Sequence, residues 1–229
     1  MKLKRIINIR KIFIDKFINK DFNEEGLLEI IGANFIADKD TIFGIVNPDY
    51  ITKELNWYLS QSLFIKDIDK DETKIPQIWK NIASKNGEIN SNYGWCIFSK
   101  ENYFQYQNCL HELLKNPNSR RAIMIYTRPQ MHIDYKKDNM NDFICTNTIQ
   151  VFIRNNHLIY IVNMRSNDAI FGYKNDYAWH HQVYIWLKFD LEKHFKKKLK
   201  KSHIIWQANT LHIYPRHFCL IEKELENAK

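Results

Sequence analysis

Apolar residues recur at helical spacing through residues 3 to 31, where Ile, Phe and Leu alternate with charged positions. TIFGIV at 41–46 is short and β-branched, and it reads as a strand. Asn47-Pro48-Asp49 reads as a cap that opens a helix over 50–62. Shorter helices fit 75–84, opening at Pro76, and 101–115, ended by Asn116-Pro117. Strand-like runs follow: AIMIYT (122–127), FICTNTIQVFIR (143–154) and HLIYIVNMR (157–165). Asn155-Asn156 between the last two is a hairpin signal. A long helix over 173–195 carries aromatics on several sides and so reads as buried. HIIWQANTLHIY (203–214) reads as a strand and 216–227 as a closing helix. No Pro/Gly/Ser-rich linker and no repeat divides the chain, so residues 1–229 read as one domain. Its elements fit an α+β or α/β layered fold.

Composition narrows the function. Hydrophobic residues at 45% and charged residues at 26% exclude a largely disordered chain. Six glycines, with no G-x-G-x-x-G and no G-x-x-x-x-G-K, speak against the glycine-loop routes to dinucleotides and nucleoside triphosphates. The net charge of +8 suits anionic partners, nucleotides and nucleic acid among them. Much of the excess is one run, Lys193 to Lys201, which reads as a solvated face. Only eight residues are arginine, two of them adjacent at Arg120 and Arg121, so arginine is placed where a planar forked donor matters. Cys96, Cys109, Cys145 and Cys219 form no C-x-x-C pair, and no metal site is expected. The start has charges every few residues and no signal-like or membrane-length apolar run. A cytoplasmic setting with reduced thiols is the expectation.

Several residues carry candidate chemistry. Taken alone, Cys145 reads first as a buried, inert cysteine, but a polar neighbourhood would make it a nucleophile. Arg165-Ser166, at the end of the strand after the hairpin, offers a forked cation and a hydroxyl suited to a phosphate. Arg120 and Arg121 are either surface charge or a two-sided phosphate grip. Glu54, among Leu55, Trp57, Tyr58 and Leu59, is either an exposed carboxylate or one with a raised pKa. His212 and Tyr214 alternate on a strand and so share a face, as sugar-binding groups or as core aromatics.

Together, in this order and spacing, these residues resemble the thymidylate synthase family over about residues 40 to 217. The resemblance is carried by ITKELNWYL (51–59), IWKNIASKNGEINSNYGW (78–95), NPNSRRAIM (116–124), Cys145 with Gln150 five residues on, RSND (165–168), FGYKND (171–176) and His212-x-Tyr214. It implies a thymidylate-synthase-like α+β fold, a mixed sheet packed with helices, with the sheet at a homodimer interface. It makes Cys145 the thiolate that adds to C6 of a pyrimidine nucleotide, so that C5 can take a one-carbon unit. Glu54 then shuttles protons near the base, and Tyr93 lies near the reacting carbons. Arg165 and Ser166 hold the 5′-phosphate, and Arg120 and Arg121 reach that of the neighbouring subunit. His212 and Tyr214 bind the 3′-hydroxyl, and Gln150 supports the substrate side of the sheet. Trp79 and Asp168 contact the folate, 5,10-methylenetetrahydrofolate, which Gly172 lets approach the backbone.

The departures from the family pattern point to cytosine. Asp176 stands where thymidylate synthases place an asparagine that reads the base edge. A carboxyl takes the N4–H of cytosine and, when protonated, donates to N3, whereas an ionised one repels the O4 of uracil. The branch that carries this Asp hydroxymethylates deoxycytidylate, typically in a bacteriophage. Thr146 replaces a usual His after the nucleophile. The chain is expected to lack the tail that closes over the folate, which would admit water. The family's early-loop arginine is missing from ANFIADKD (33–40), where Lys39 is the candidate substitute. The alternatives on the same scaffold are a thymidylate synthase or a hydroxymethylase of dUMP or CMP. A nucleic-acid-binding protein is the alternative outside it.

Overall fold

The computed structural model describes residues 3–200 and 202–227, so Lys201 of the basic run lies outside the described residues. The fold class is α+β, a mixed sheet packed with helices, within two compact units. One comprises Met1–Val46 with Val151–Lys229, the other Asn47–Gln150.

The first unit opens with β1 (Lys4–Arg5), α1 (Ile6–Ile18) and β2 (Leu28–Ala37). The second contains α2 (Pro48–Ser60), α3 (Gln77–Ile82), α4 (Tyr93–Phe98), α5 (Gln105–Lys115), β3 (Ile123–Ile125) and α6 (Met131–Asp134). Strand β4 (Thr146–Arg154) begins in the second unit and ends in the first. The first unit resumes with β5 (His157–Met164), β6 (Asn167–Asp168), α7 (Phe171–Phe195), β7 (Ile204–Ile213) and α8 (Cys219–Asn227).

Strand β7 organises the first unit. It pairs antiparallel with β2, from Leu28↔Ile213 to Ala37↔Ile204, and parallel with β5 and with β6. Asn155 and Asn156 both have positive φ, 50° and 65°, the geometry that lets a two-residue turn follow the strand twist from β4 into β5. Helix α7 buries Tyr173, His180, Val183, Tyr184, Leu187 and Leu191, one face at three- and four-residue spacing. Tyr173 and His180 meet Trp206 of β7 edge-on at 5.1 and 5.6 Å. Ile6, Phe13, Leu28, Phe35 and Val162 are fully buried in this unit. Each such side chain contributes roughly 1.5–3 kcal/mol.

Two expectations need correction. The helical periodicity does not run to residue 31, because α1 stops at Ile18 and 28–37 is a strand. Gly32 at φ +66° and the exposed Ile31 beside it interrupt the alternation that would have marked it. TIFGIV is a loop: Ile42 and Phe43 are buried, Gly44 has φ +72° and Ile45 is 84% exposed. Its carbonyls bond side chains instead, those of Thr41 and Ile42 to Arg10 and that of Ile45 to Lys174.

In the second unit Asn47 caps α2 through its Oδ1, which accepts from Tyr50 N at 3.1 Å, with Pro48 following it. Helix α4, which sequence periodicity did not reveal, starts at the Asn92 cap and packs on α2. That packing requires glycine at position 94, since a Cβ there would lie 1.7 Å from the Tyr58 carbonyl oxygen. Tyr93 thereby stacks on Tyr58, ring centroids 5.2 Å apart. Gly94→Ala should destabilise the protein by about 3 kcal/mol, the upper end for overpacking, because the obstacle is backbone. Urea unfolding of the variant checks this, and a midpoint equal to wild type would refute it.

Candidate active site

In the second unit, Glu54 is buried on the inner face of α2, at 5% exposure. Tyr50, one turn earlier, donates its hydroxyl to Glu54 Oε1 at 2.6 Å and accepts the indole N–H of Trp79 at 2.9 Å. Burial pushes the Glu54 carboxyl up to about 7, and the hydrogen bonds of Tyr50 and Trp79 oppose the shift. The structure thus brings Glu54 and Trp79 together through Tyr50. Sequence reasoning missed Tyr50, although its i, i+4 spacing to Glu54 was visible. Trp79 is 9% exposed and meets Trp57 edge-on at 5.1 Å, so its indole is largely committed. Tyr93, 4% exposed, sits between Tyr58 and Tyr126.

Cys145 lies at a bend immediately before β4, half-buried, its thiol 3.9 Å from the carbonyl oxygen of Phe143. It therefore precedes the strand rather than lying inside it. By contrast, burial pushes the Cys96 and Cys109 thiols up to about 12, which makes them inert. The segment leading to Cys145 is held by Asp142, 3% exposed, another residue that sequence reasoning missed. Its carboxylate accepts from the backbone N–H groups of Asn90 and Ser91 at 2.6 and 2.7 Å, and from the Ser91 hydroxyl at 2.6 Å. Three donors on one buried carboxylate make a rigid mooring. Arg120 and Arg121 are both exposed. Arg121 pairs with Glu112 at 3.1 Å, while the Arg120 carbonyl accepts from the Gln150 side-chain amide at 3.0 Å. Gln150 thus ties down the arginine segment.

In the first unit, β6 and the first turns of α7 hold the other set. Asp168 faces the start of α7, its two carboxylate oxygens accepting from Ile170 N at 2.9 Å and Phe171 N at 3.3 Å. A negative group suits a helix start. Asn167, 2% exposed, donates its amide to Asp176 Oδ2 at 2.8 Å. Gly172 fits against this group, since a Cβ there would lie 3.2 Å from Asn167 Nδ2 and from Asp168 Cβ. His212 is 8% exposed and meets Tyr214 edge-on at 5.0 Å, so the two do share a face. Desolvation lowers the His212 pKa, Asp168 and Glu29 oppose that, and Arg165 and Arg216 add to it. A neutral imidazole results at neutral pH. Ser166, His212 and Tyr214 line a cavity of about 500 Å³ together with Glu24, Glu29 and Thr210. Acceptor carboxylates and a neutral histidine suit hydroxyl groups. Lys39 is exposed at the end of β2, and its carbonyl accepts the Tyr173 hydroxyl at 2.8 Å. Among the described residues no group of three or more His, Cys, Asp or Glu could hold a metal ion. No helix among them is long and apolar enough to cross a membrane.

The thymidylate synthase family model matches residues 44–229. The chain is 54% identical over 196 residues to deoxycytidylate 5-hydroxymethyltransferases of Enterobacteria phages T4 and T2, spanning 85% of this chain and 78% of each relative. It is 26% identical to the thymidylate synthase of Francisella tularensis subsp. holarctica, over 97% of this chain and 84% of that one. The solved thermostable thymidylate synthase A of Bacillus subtilis has the same fold, with TM-score 0.67, 21% identity and coverage of 97% and 84%.

The raised Glu54 pKa links stability to pH. The folded state binds this proton more tightly than the unfolded state, whose carboxyl titrates near 4.5. The contribution is full below pH 4.5, is lost as pH rises, and levels off above about pH 7. Glu54→Gln removes it, so the stability difference between variant and wild type should change by about 3 kcal/mol across that window, in the variant's favour as pH rises. Urea unfolding at a series of pH values checks this, and a pH-independent difference would refute the buried assignment.

Proposed function

The chain belongs to the thymidylate synthase family, and from that premise we propose that it transfers a hydroxymethyl group to C5 of dCMP. The observation that carries the reading is the 54% identity to deoxycytidylate 5-hydroxymethyltransferases, about twice the identity to thymidylate synthases.

In this reading the Cys145 thiolate adds to C6 of the cytosine ring, forming a C–S bond and giving C5 the electron pair it needs to bond carbon. Asp142 keeps the strand entrance, and with it Cys145, in register. Glu54, with a pKa about 7, is populated in both forms at neutral pH and so can give and take protons during the step. Tyr93 packs beside this carboxylate's helix and shapes the floor under the reacting carbons. The C5 hydrogen leaves as a proton, taken up by the relay that Glu54 serves, water supplies the oxygen of the hydroxymethyl group, and expulsion of the Cys145 thiolate restores the C5–C6 double bond. Arg165 and Ser166 grip the 5′-phosphate, and His212 and Tyr214 take the 3′-hydroxyl. Asp176 reads the base edge.

5,10-Methylenetetrahydrofolate supplies the one-carbon unit when bound. The residues assigned to it fit such a group. The Asp168 carboxylate has acceptor positions beyond the two that α7 uses, suited to the N–H donors of a pterin. Gly172 leaves a cradle that a Cβ would fill. Trp79 adds an aromatic edge.

Members of the family act as dimers on small nucleotides. For this chain the dimer forms through the sheet, where Ile31 of β2 is 74% exposed, and Arg120 and Arg121 reach the partner's phosphate. In this reading the chain works in a host cytoplasm and feeds nucleotide synthesis for modified DNA, a reading supported by its phage-encoded relatives. As a family domain the chain acts as one unit of function over residues 1–229.

Product mass decides the function. Incubated with methylenetetrahydrofolate and dCMP, dUMP or CMP in parallel, the protein should add CH2O to dCMP alone. A gain of CH2 on dUMP would make it a thymidylate synthase instead, and salt-sensitive DNA binding without turnover would favour a nucleic-acid-binding role. Cys145→Ser should abolish turnover while nucleotide binding persists, and near-wild-type turnover would remove Cys145 from the mechanism.

A further inference from the structure

Asn167 is buried at 2% exposure in β6, where its backbone pairs opposite Leu211 of β7. Its side chain reaches helix α7. The amide nitrogen donates to Asp176 Oδ2 at 2.8 Å. The amide oxygen, Oδ1, is buried without a hydrogen-bond partner. Reversing the amide would not relieve this, because it would set that oxygen against a carboxylate oxygen at the same distance. A position needed only for packing would carry an apolar side chain and avoid a stranded acceptor. The stranded oxygen is therefore tolerated so that the N–H can stay on Asp176. Gly172 belongs to the same arrangement. A Cβ there would crowd Asn167 Nδ2 at 3.2 Å and stand 3.7 Å from Asp176 Oδ2, so glycine leaves this pair its room.

We propose that Asn167 is a positioning residue for base recognition: its amide locks the orientation of the Asp176 carboxylate and thereby sets the preference for cytosine over uracil. The proposal rests on the reading of Asp176 as the base reader. Cytosine offers an N4 donor beside an N3 acceptor, and uracil offers the reverse pair. A carboxylate free to rotate about its χ2 bond discriminates poorly between these edges. The amide N–H fixes the plane of the carboxylate and makes Oδ2 the acceptor oxygen, so a proton taken up by Asp176 resides on Oδ1. A lone carboxyl has no such assignment. The neighbouring donor converts it into an oriented reader with one defined acceptor and one defined proton site.

The test uses the full-length protein and measures kcat and KM for dCMP and dUMP, with the pH profile of kcat/KM for dCMP. Asn167→Ala should lower the dCMP:dUMP ratio of kcat/KM at least about tenfold, as expected when a buried partner is removed. In an Asp176→Asn background the same change should leave the ratio where Asp176→Asn alone puts it. Asn167→Asp sets a second carboxyl against the first and should move the basic limb of the dCMP profile, where the protonated Asp176 reader is lost, up by about one pH unit. Asp168, Lys174 and His212, the titratable groups on the neighbouring strands and helix, are unchanged in every variant.

An unchanged ratio in Asn167→Ala, or an unmoved limb in Asn167→Asp, overturns the proposal. Should Asn167→Ala not fold, the limb decides alone. If Asp176→Asn leaves the ratio unchanged, the reading of Asp176 itself fails. If Asp176→Asn shifts the ratio and the Asn167 variants do not, only the role of Asn167 fails.

Discussion

Strand β7 is the constraint on which the first unit depends. It pairs with β2, β5 and β6, joining the two ends of the chain in one register. Register in a sheet with a buried face is all or nothing, since a slip of one residue turns every side chain to the other face. The pairs Asn167↔Leu211 and Asp168↔His212 tie two neighbouring residues of β6 to that register. His212 and Tyr214 lie at the same end of β7. Helix α7 then opens at Phe171 against the Asp168 carboxylate and brings Asp176, in its second turn, within hydrogen-bond reach of Asn167. One strand position thus fixes the His212–Tyr214 pair and Asp176 together, which a site built on separate loops would not do.

In the second unit the same need is met by buried polar groups. Asp142 holds the entrance to β4 through three donors, and Tyr50 links Glu54 to Trp79. These buried carboxylates differ in their surroundings. Asp142 accepts two backbone N–H groups, which favour its charged form. Glu54 is buried among aromatic rings, which favours the neutral form, and the phenol of Tyr50 offsets this only in part. A proton carrier needs the second arrangement and a mooring needs the first.

Much of this was legible in the sequence, and the reasons differ by residue. The cap at Asn47, the Asn155-Asn156 turn and helix α7 follow local rules that need no tertiary knowledge. The boundaries of β7 were visible because its run, IIWQANTLHI, lies between the polar KKSH and the breaker Pro215. Strand β2 was hidden because Ile31 and Gly32 break its alternation, while the helical spacing of α1 carried the eye past Ile18. TIFGIV was misread because its apolar residues are buried by a loop whose carbonyls take side-chain donors, and β-branched composition alone does not distinguish these cases. The order of Cys145, Glu54, Arg165 and Asp176 was legible only as a pattern. The supports, Tyr50, Asp142 and Asn167, were not, because each acts on a residue that the fold alone brings near. Asn167 even stood inside the RSND block that was read for its other three residues.

The charge of the chain divides along the same line. Lys193 and Lys196 to Lys198 are exposed at the C-terminal end of α7, where cations oppose the negative end of the helix dipole, and there they serve solvation. The arginines are placed differently. Arg10 bonds the carbonyls of Thr41 and Ile42, Arg128 lies over Trp95 and reaches Asp134 and Asn90, and Arg121 braces Glu112. Net charge therefore says little about what the site selects. Its positive field draws any nucleotide phosphate, cytosine or uracil alike. Selection has to come from short-range groups whose mismatch leaves a buried donor or acceptor unpaired. A carboxylate is a severe judge of that mismatch only when it cannot turn away from it, which is the condition a fixed amide neighbour imposes.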